Sequence, residues 1–123
     1  MEVLLDTNFI ISCVMKRIDF IDELGGMGFR TKVPREVLEE MKDLKKERKT
    51  SHAERQAIDV AFSMLEVAKV KKMKLGTWNV DEGLIKKGRE GIYIATLDRG
   101  IKIEIPNKVV IDSARNGLKV ERS

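Results

Sequence analysis

Apolar and polar positions alternate along this chain in blocks whose spacing switches repeatedly between strand-like runs and helical periods. Val3-Leu4-Leu5 is an apolar run that ends in Asp6-Thr7-Asn8. It reads as a strand buried on both faces that delivers polar groups to one edge of a sheet. Phe9 to Ile18 has the spacing of a helix packed on a sheet, with a second short piece over 19–24, and Gly25 to Gly28 is a turn. Phe29 to Val33 predicts a strand ended by Pro34, which suits the first turn of a helix over 35–46. Ser51 and Glu54 form a capping-box pattern, and Ala57, Val60, Ala61, Met64, Leu65 and Ala68 then recur at helical spacing. Residues 70–75 predict a short edge strand, Asn79 an N-cap, and 81–88 a helix stopped by Gly91. Ile92 to Leu97 repeats the design of the first strand and closes on Thr96 and Asp98. A short helix or turn over 98–104, a strand over 108–111 and a turn at Asn116-Gly117 complete the chain, with 118–120 adding a little more strand. Strands that alternate with helices predict an α/β sandwich with a mainly parallel sheet.

Composition narrows this picture. The 123 residues, 42% of them apolar, suit one domain, 1–123, with its own core. No stretch is long and apolar enough to span a bilayer, and no charged-then-apolar leader opens the sequence, so a cytoplasmic protein with no membrane partner is expected. Cys13 is the one cysteine, which excludes an internal disulfide framework and suits a small core residue. The net charge of +4, from 24 basic and 20 acidic residues, permits a nucleic-acid partner without demanding one.

The candidate chemistry lies in four acids. Asp6 and Asp98 both follow apolar strands, and in open parallel sheets ligands bind beyond the strands' carboxyl ends. Parallel neighbours would bring the two carboxylates together, and a site that keeps such a pair ionised holds a cation. Helix geometry adds two more. Around the stripe of Val37, Leu38, Met41 and Leu44, Glu40 lies roughly 90° from the centre, whereas Glu36, Glu39 and Asp43 lie roughly 130–170° away, toward solvent. Asp81 lies about 35° from the centre of the stripe of Val80, Leu84, Ile85 and Gly88, while Glu82 points away. Each acid also has a plainer role: Asp6 as a helix cap, Asp81 as a first-turn acid, Asp98 in a turn, Glu40 on the surface. His52, the one histidine, sits at the start of a surface helix, which leaves no nucleophilic triad. Oxygen ligands without His or Cys select Mg²⁺ or Mn²⁺ over Zn²⁺. A phosphoacceptor receiver domain would want paired early acids and a late lysine after a strand, a pattern not evident here.

Four segments in order carry a resemblance over nearly the whole chain: Leu5-Asp6-Thr7-Asn8, then Val33 through Met41 with Glu40 before an apolar residue, then Val80-Asp81-Glu82-Gly83-Leu84-Ile85, then Ala95-Thr96-Leu97-Asp98-Arg99. The sequence resembles the PIN-domain ribonucleases, and its basic balance and its tail from Ile101 on look closer to small archaeal processing-type members. The resemblance implies a three-layer α/β/α Rossmann-like fold with a sheet of about five strands. It implies a Mg²⁺- or Mn²⁺-dependent endoribonuclease, acting in ribosomal RNA processing or, alternatively, as a VapC-type toxin or a non-cleaving RNA- or protein-binding module. It gives the metal to Asp6, Glu40, Asp81 and Asp98, and an orienting role to Asn8 and Thr96. Rim cations beside the acids must offset their repulsion of a phosphate, and Arg99, Lys102, Lys86 and Lys87 are the candidates. The partners implied are single-stranded or structured ribosomal or transfer RNA, an antitoxin or a ribosome-assembly protein, and a second copy in a homodimer. The sequence departs from the family in having no further acid after Asp98, where Arg99-Gly100 stands, and in having glycine at 83 and 88.

Overall fold

The computed structural model describes residues 1–122. The chain alternates β1 (Glu2–Leu5), α1 (Thr7–Met15), α2 (Phe20–Gly26), β2 (Arg30–Pro34), α3 (Arg35–Lys46), α4 (His52–Val67), β3 (Lys71–Met73), α5 (Val80–Arg89), β4 (Tyr93–Ala95), α6 (Arg99–Lys102), β5 (Asn107–Asp112) and β6 (Gly117–Arg122). The strands form one sheet in the order β3-β2-β1-β4-β5-β6, all parallel except the β5–β6 hairpin. The sheet therefore has six strands among the described residues, where about five were expected, and the strand expected over 118–120 is the middle of the sixth. The sixth is the Asn116-Gly117 turn's return strand, which runs the full length of β5 from Asp112↔Gly117 to Asn107↔Arg122. Asn116 adopts positive φ there, as a tight turn requires.

Local chemistry explains the boundaries. Pro34 precedes α3 with extended φ and ψ, and the helix runs over the predicted 35–46. The capping box at α4 is complete: Glu54 N donates to Ser51 Oγ at 3.1 Å, and Ser51 N donates to Glu54 Oε1 at 3.3 Å. Asn79 caps α5 by accepting from Glu82 N at 3.1 Å. The predicted glycine turn is instead largely helix: α2 continues through Gly25 and Gly26, and Gly28, at positive φ, ends it.

Helices α1, α3 and α4 pack on one another, while α5, reached by the crossover that returns to β4, packs against β4 and α6. The core joins the central strands to the helices and includes Leu4, Leu5, Phe9, Phe20, Met41, Leu84 and Ile94, all fully buried. Cys13 belongs to it, and burial pushes its thiol up to about 12, so it is inert. The two unusual glycines of α5 are contact points. A Cβ on Gly88 would stand 2.4 Å from Ile105 Cγ2, and one on Gly83 would stand 2.9 Å from Leu75 Cβ. Glycine lets α5 approach its neighbours where alanine would collide.

The chain leaves β1 to build β2 and β3 on one side, then crosses to build β4 and β5 on the other. β1 and β4 are thus parallel neighbours at a topological switch point, with Leu5 opposite Ala95. The crevice beyond their carboxyl ends is where such sheets bind ligands.

Candidate active site

Asp6 and Thr96 are the residues that follow β1 and β4, and they meet. The Thr96 hydroxyl, fully buried, donates to Asp6 Oδ2 at 2.7 Å, and Thr7 N donates to Asp6 Oδ1 at 2.8 Å. Asp98 N donates to Thr96 Oγ1 at 3.1 Å, so one threonine ties the carboxylate of β1 to the loop that carries Asp98. Asp98 Oδ1 accepts from Ile101 N at 3.1 Å and caps α6. The plainer role expected for Asp98, in a turn, is thus replaced for one of its oxygens by a helix cap. Across the cleft, the buried Thr7 hydroxyl donates to Glu40 Oε1 and draws the α3 carboxylate toward β1.

Thr7 is the residue that the sequence reading passed over, because its hydroxyl could serve equally well in helix capping. Asn8, expected to orient the acids, is exposed and its side chain makes no hydrogen bond among the described residues. Two placements by helix phase are corrected. Glu36 does not face solvent: it is 7% exposed and accepts from Leu75 N at 3.1 Å and Gly76 N at 3.3 Å, because the loop after β3 folds over the start of α3 with two amides to satisfy. Asp81 does not lie in the packing face: it is exposed, because α5 starts at the sheet's carboxyl edge and its first turn projects beyond the strands.

Electrostatics bind the four acids into one site. Burial raises the Asp6 carboxyl to about 6; the Thr96 and Thr7 hydrogen bonds oppose that rise, while the charges of Glu40 and Asp81 add to it. Partial desolvation raises Asp81 as well, and the charge of Asp98 raises it further. Elsewhere acids pair with cations, as Glu39 does with Lys42 at 3.2 Å and Asp59 with Lys45 at 2.5 Å. None of Asp6, Glu40, Asp81 and Asp98 does so among the described residues. Glu40 Oε2, Asp98 Oδ2 and both oxygens of Asp81 accept no hydrogen bond there either.

An unpaired set of hard oxygen donors fits a divalent cation of the Mg²⁺ type, which keeps several of its waters and takes only one or two carboxylates directly. Among the described residues no group of three or more acids, imidazoles or thiolates is drawn together tightly enough to hold an ion unaided. Arg99 and Lys102 lie on α6, immediately after Asp98, and neither side chain pairs with an acid there. Lys86 and Lys87 stand in the last turn of α5, about 7–9 Å along its axis from Asp81. Lys87 approaches Glu90 at 3.9 Å.

Comparison with known proteins agrees with this architecture. A family model described as a PIN-like domain matches residues 3–111. Among solved structures, the chain is similar to one described as the structure of the PIN domain endonuclease Utp24. The identity is 18% and the TM-score 0.76, over 99% of this chain and 92% of that one. No curated protein matches it in sequence.

Proposed function

The chain belongs to the PIN-like domain family, and from that premise we propose that it is a divalent-metal-dependent endoribonuclease. The observation that carries the reading is the set of four carboxylates around the β1/β4 switch point, none of them paired with a lysine or arginine among the described residues. Asp6, Glu40, Asp81 and Asp98 would hold Mg²⁺ or Mn²⁺, which when bound supplies charge that polarises the scissile phosphate and acidifies the attacking water.

The chain's own groups do the rest. Thr96 and Thr7 fix both oxygens of Asp6, so the buried carboxylate keeps one orientation as its charge changes. The second hydrogen bond of Thr7 holds Glu40 against the same centre. The Ile101 amide fixes one oxygen of Asp98 and leaves the other for a ligand. Arg99 and Lys102 meet the substrate phosphates and offset the repulsion of the acids. No side chain acts as a covalent nucleophile. The substrate is a cellular RNA, with ribosomal RNA precursors the first to test, as the basic balance and the resemblance to processing-type members suggest. A toxin role rests on resemblance alone.

The deciding experiment is cleavage of total cellular RNA with Mn²⁺ or with EDTA, followed by end mapping. Discrete new ends that appear only with metal, and vanish in Asp98→Asn, are expected. Undiminished cleavage by Asp98→Asn, or cleavage in EDTA, would overturn the assignment.

A further inference from the structure

The loop between β3 and α5 carries an indole that the fold does not use. Trp78 is 78% exposed, and its ring meets no other ring or cation among the described residues. An exposed tryptophan forgoes one of the largest apolar burials a side chain can make, and tryptophan is enriched where proteins meet their partners. The loop beneath it is built, not slack. Glu36 holds the amides of Leu75 and Gly76, Leu75 is buried against Gly83, and Thr77 Oγ1 accepts from Asn79 N at 3.2 Å. Gly76, at positive φ, makes the bend that turns the chain outward.

The surroundings of the ring are basic. Arg35, Lys74, Thr77 and Trp78 line a shallow cavity of about 270 Å³. Neither Arg35 nor Lys74 pairs with an acid among the described residues, and Glu36, which also lines the cavity, spends its oxygens on the loop amides. The topology puts this platform at the catalytic edge. Arg35 follows the carboxyl end of β2 and Lys74 that of β3, both parallel to β1. Trp78 precedes Asp81 by three residues, so the two lie within about 11 Å along the backbone.

We infer that Trp78 is a stacking platform for an unpaired nucleobase close to the cleaved bond, with Arg35 and Lys74 holding the flanking phosphates. This rests on the endoribonuclease reading and adds to it the residues of this chain that would grip an unpaired stretch of RNA beside the cut. An aromatic face accepts any base, and a base inside a duplex cannot reach it. Paired cations beside an exposed ring suit a polyanion better than an apolar protein partner, which would leave both charges without an acid.

Trp78 is the only tryptophan of the chain, so its fluorescence reports this site alone. The wild-type protein in EDTA is titrated with a short single-stranded RNA and with the same RNA annealed to its complement. Saturable quenching by the single strand and little by the duplex is expected. Binding of labelled single-stranded RNA, read by anisotropy, should weaken about 5- to 100-fold in Trp78→Ala and far less in Trp78→Phe, which keeps a ring. Equal quenching by duplex, or unchanged affinity in Trp78→Ala, overturns the inference. So does an indole that responds to protein concentration but not to RNA, which would make this face a protein contact. Quenching needs no metal, so the two readings fail separately. Quenching without cleavage in Mn²⁺ sinks the nuclease and leaves the platform, whereas cleavage without quenching does the reverse.

Discussion

Asp6 shows how one residue couples stability to the site. Its carboxyl sits near 6 in the folded chain against an ordinary 3.8, chiefly because burial penalises the charge. Below about pH 4 both folded and unfolded chains hold the proton, and Asp6 adds nothing to the pH dependence. As pH rises from 4 to 6 the unfolded chain releases that proton first, so folding weakens; above 6 the full cost is in place. Asp6→Asn removes the cost and should therefore stabilise the metal-free protein above pH 6, by at most about 3 kcal/mol, with the gain fading toward pH 4. Denaturant melts in EDTA at several pH values measure this, and a variant less stable at pH 7 would contradict it. Excess Mg²⁺ should raise the melting temperature of the wild type and not of the variant. Glu40 and Glu39 give a second test at this scale. Glu40→Gln should lose metal-dependent cleavage and keep its fold, because the amide still accepts from Thr7. Glu39→Gln, which gives up only an exposed pair with Lys42, should stay within about 0.5 kcal/mol of wild type and keep activity. If Glu39→Gln is the inactive variant, the ligand on α3 has been misplaced by one residue. Helix phase sets the two glutamates about 100° apart, and although both are exposed, Glu40 reaches Thr7 while Glu39 meets Lys42. The same rule misplaced Glu36, because the partners of Glu36 lie 39 and 40 residues downstream, where helix phase carries no information.

Among the elements, legibility followed how local the determining signal was. The bounds of α3 were readable from Pro34 and a strong apolar stripe, and the start of α4 from its capping box, whereas the apolar spacing carries on toward Val70 and α4 ends at Val67. The pairing of β1 with β4 was readable because two apolar runs end alike. The sixth strand was faint because Gly117 to Arg122 has only Leu118 and Val120 as apolar side chains and is half exposed, and its long-range ladder with β5 makes it a strand. The glycines of α5 looked like interruptions of a helix. They are the price of proximity, which sequence periodicity does not register. In an unhindered helix, Gly88→Ala would gain about 1 kcal/mol from propensity. Here the added methyl meets Ile105 at 2.4 Å with Ile94 beside it, so overpacking should prevail. A net destabilisation of about 1–3 kcal/mol in a urea melt is expected, and a stabilised variant would show that α5 shifts freely on the sheet. Truncating Glu36 to alanine should cost about 1–3 kcal/mol by stranding the buried amide of Leu75 and freeing the partly buried one of Gly76, and should also loosen the loop that presents Trp78.

Across the whole molecule, charge is divided against itself. The net +4 is carried by lysines and arginines spread over helices and the edge strand, which steers a polyanion toward the surface without choosing a place for it. The place is chosen at the carboxyl edge of the sheet, and there the local charge is negative. Without metal, the acids and the RNA phosphates repel each other while Arg99, Lys102, Arg35 and Lys74 attract. RNA affinity in EDTA should therefore fall with salt at a slope near −0.7 for each phosphate engaged, and Arg99→Gln should lower that slope by about 0.7 for every RNA alike. Asp81 provides the sharper test, because it is exposed, bears on no buried hydrogen bond and feels Asp98. Removing its charge takes away repulsion that the substrate also feels, so Asp81→Asn should bind RNA about two- to fivefold more tightly in EDTA. The same variant should lose cleavage in Mn²⁺, since it gives up one of the four oxygen donors. Opposite signs in the two assays are what a cation-holding site demands. An acid that served only to start α5 would leave RNA binding and cleavage both near wild type and would lower stability alone.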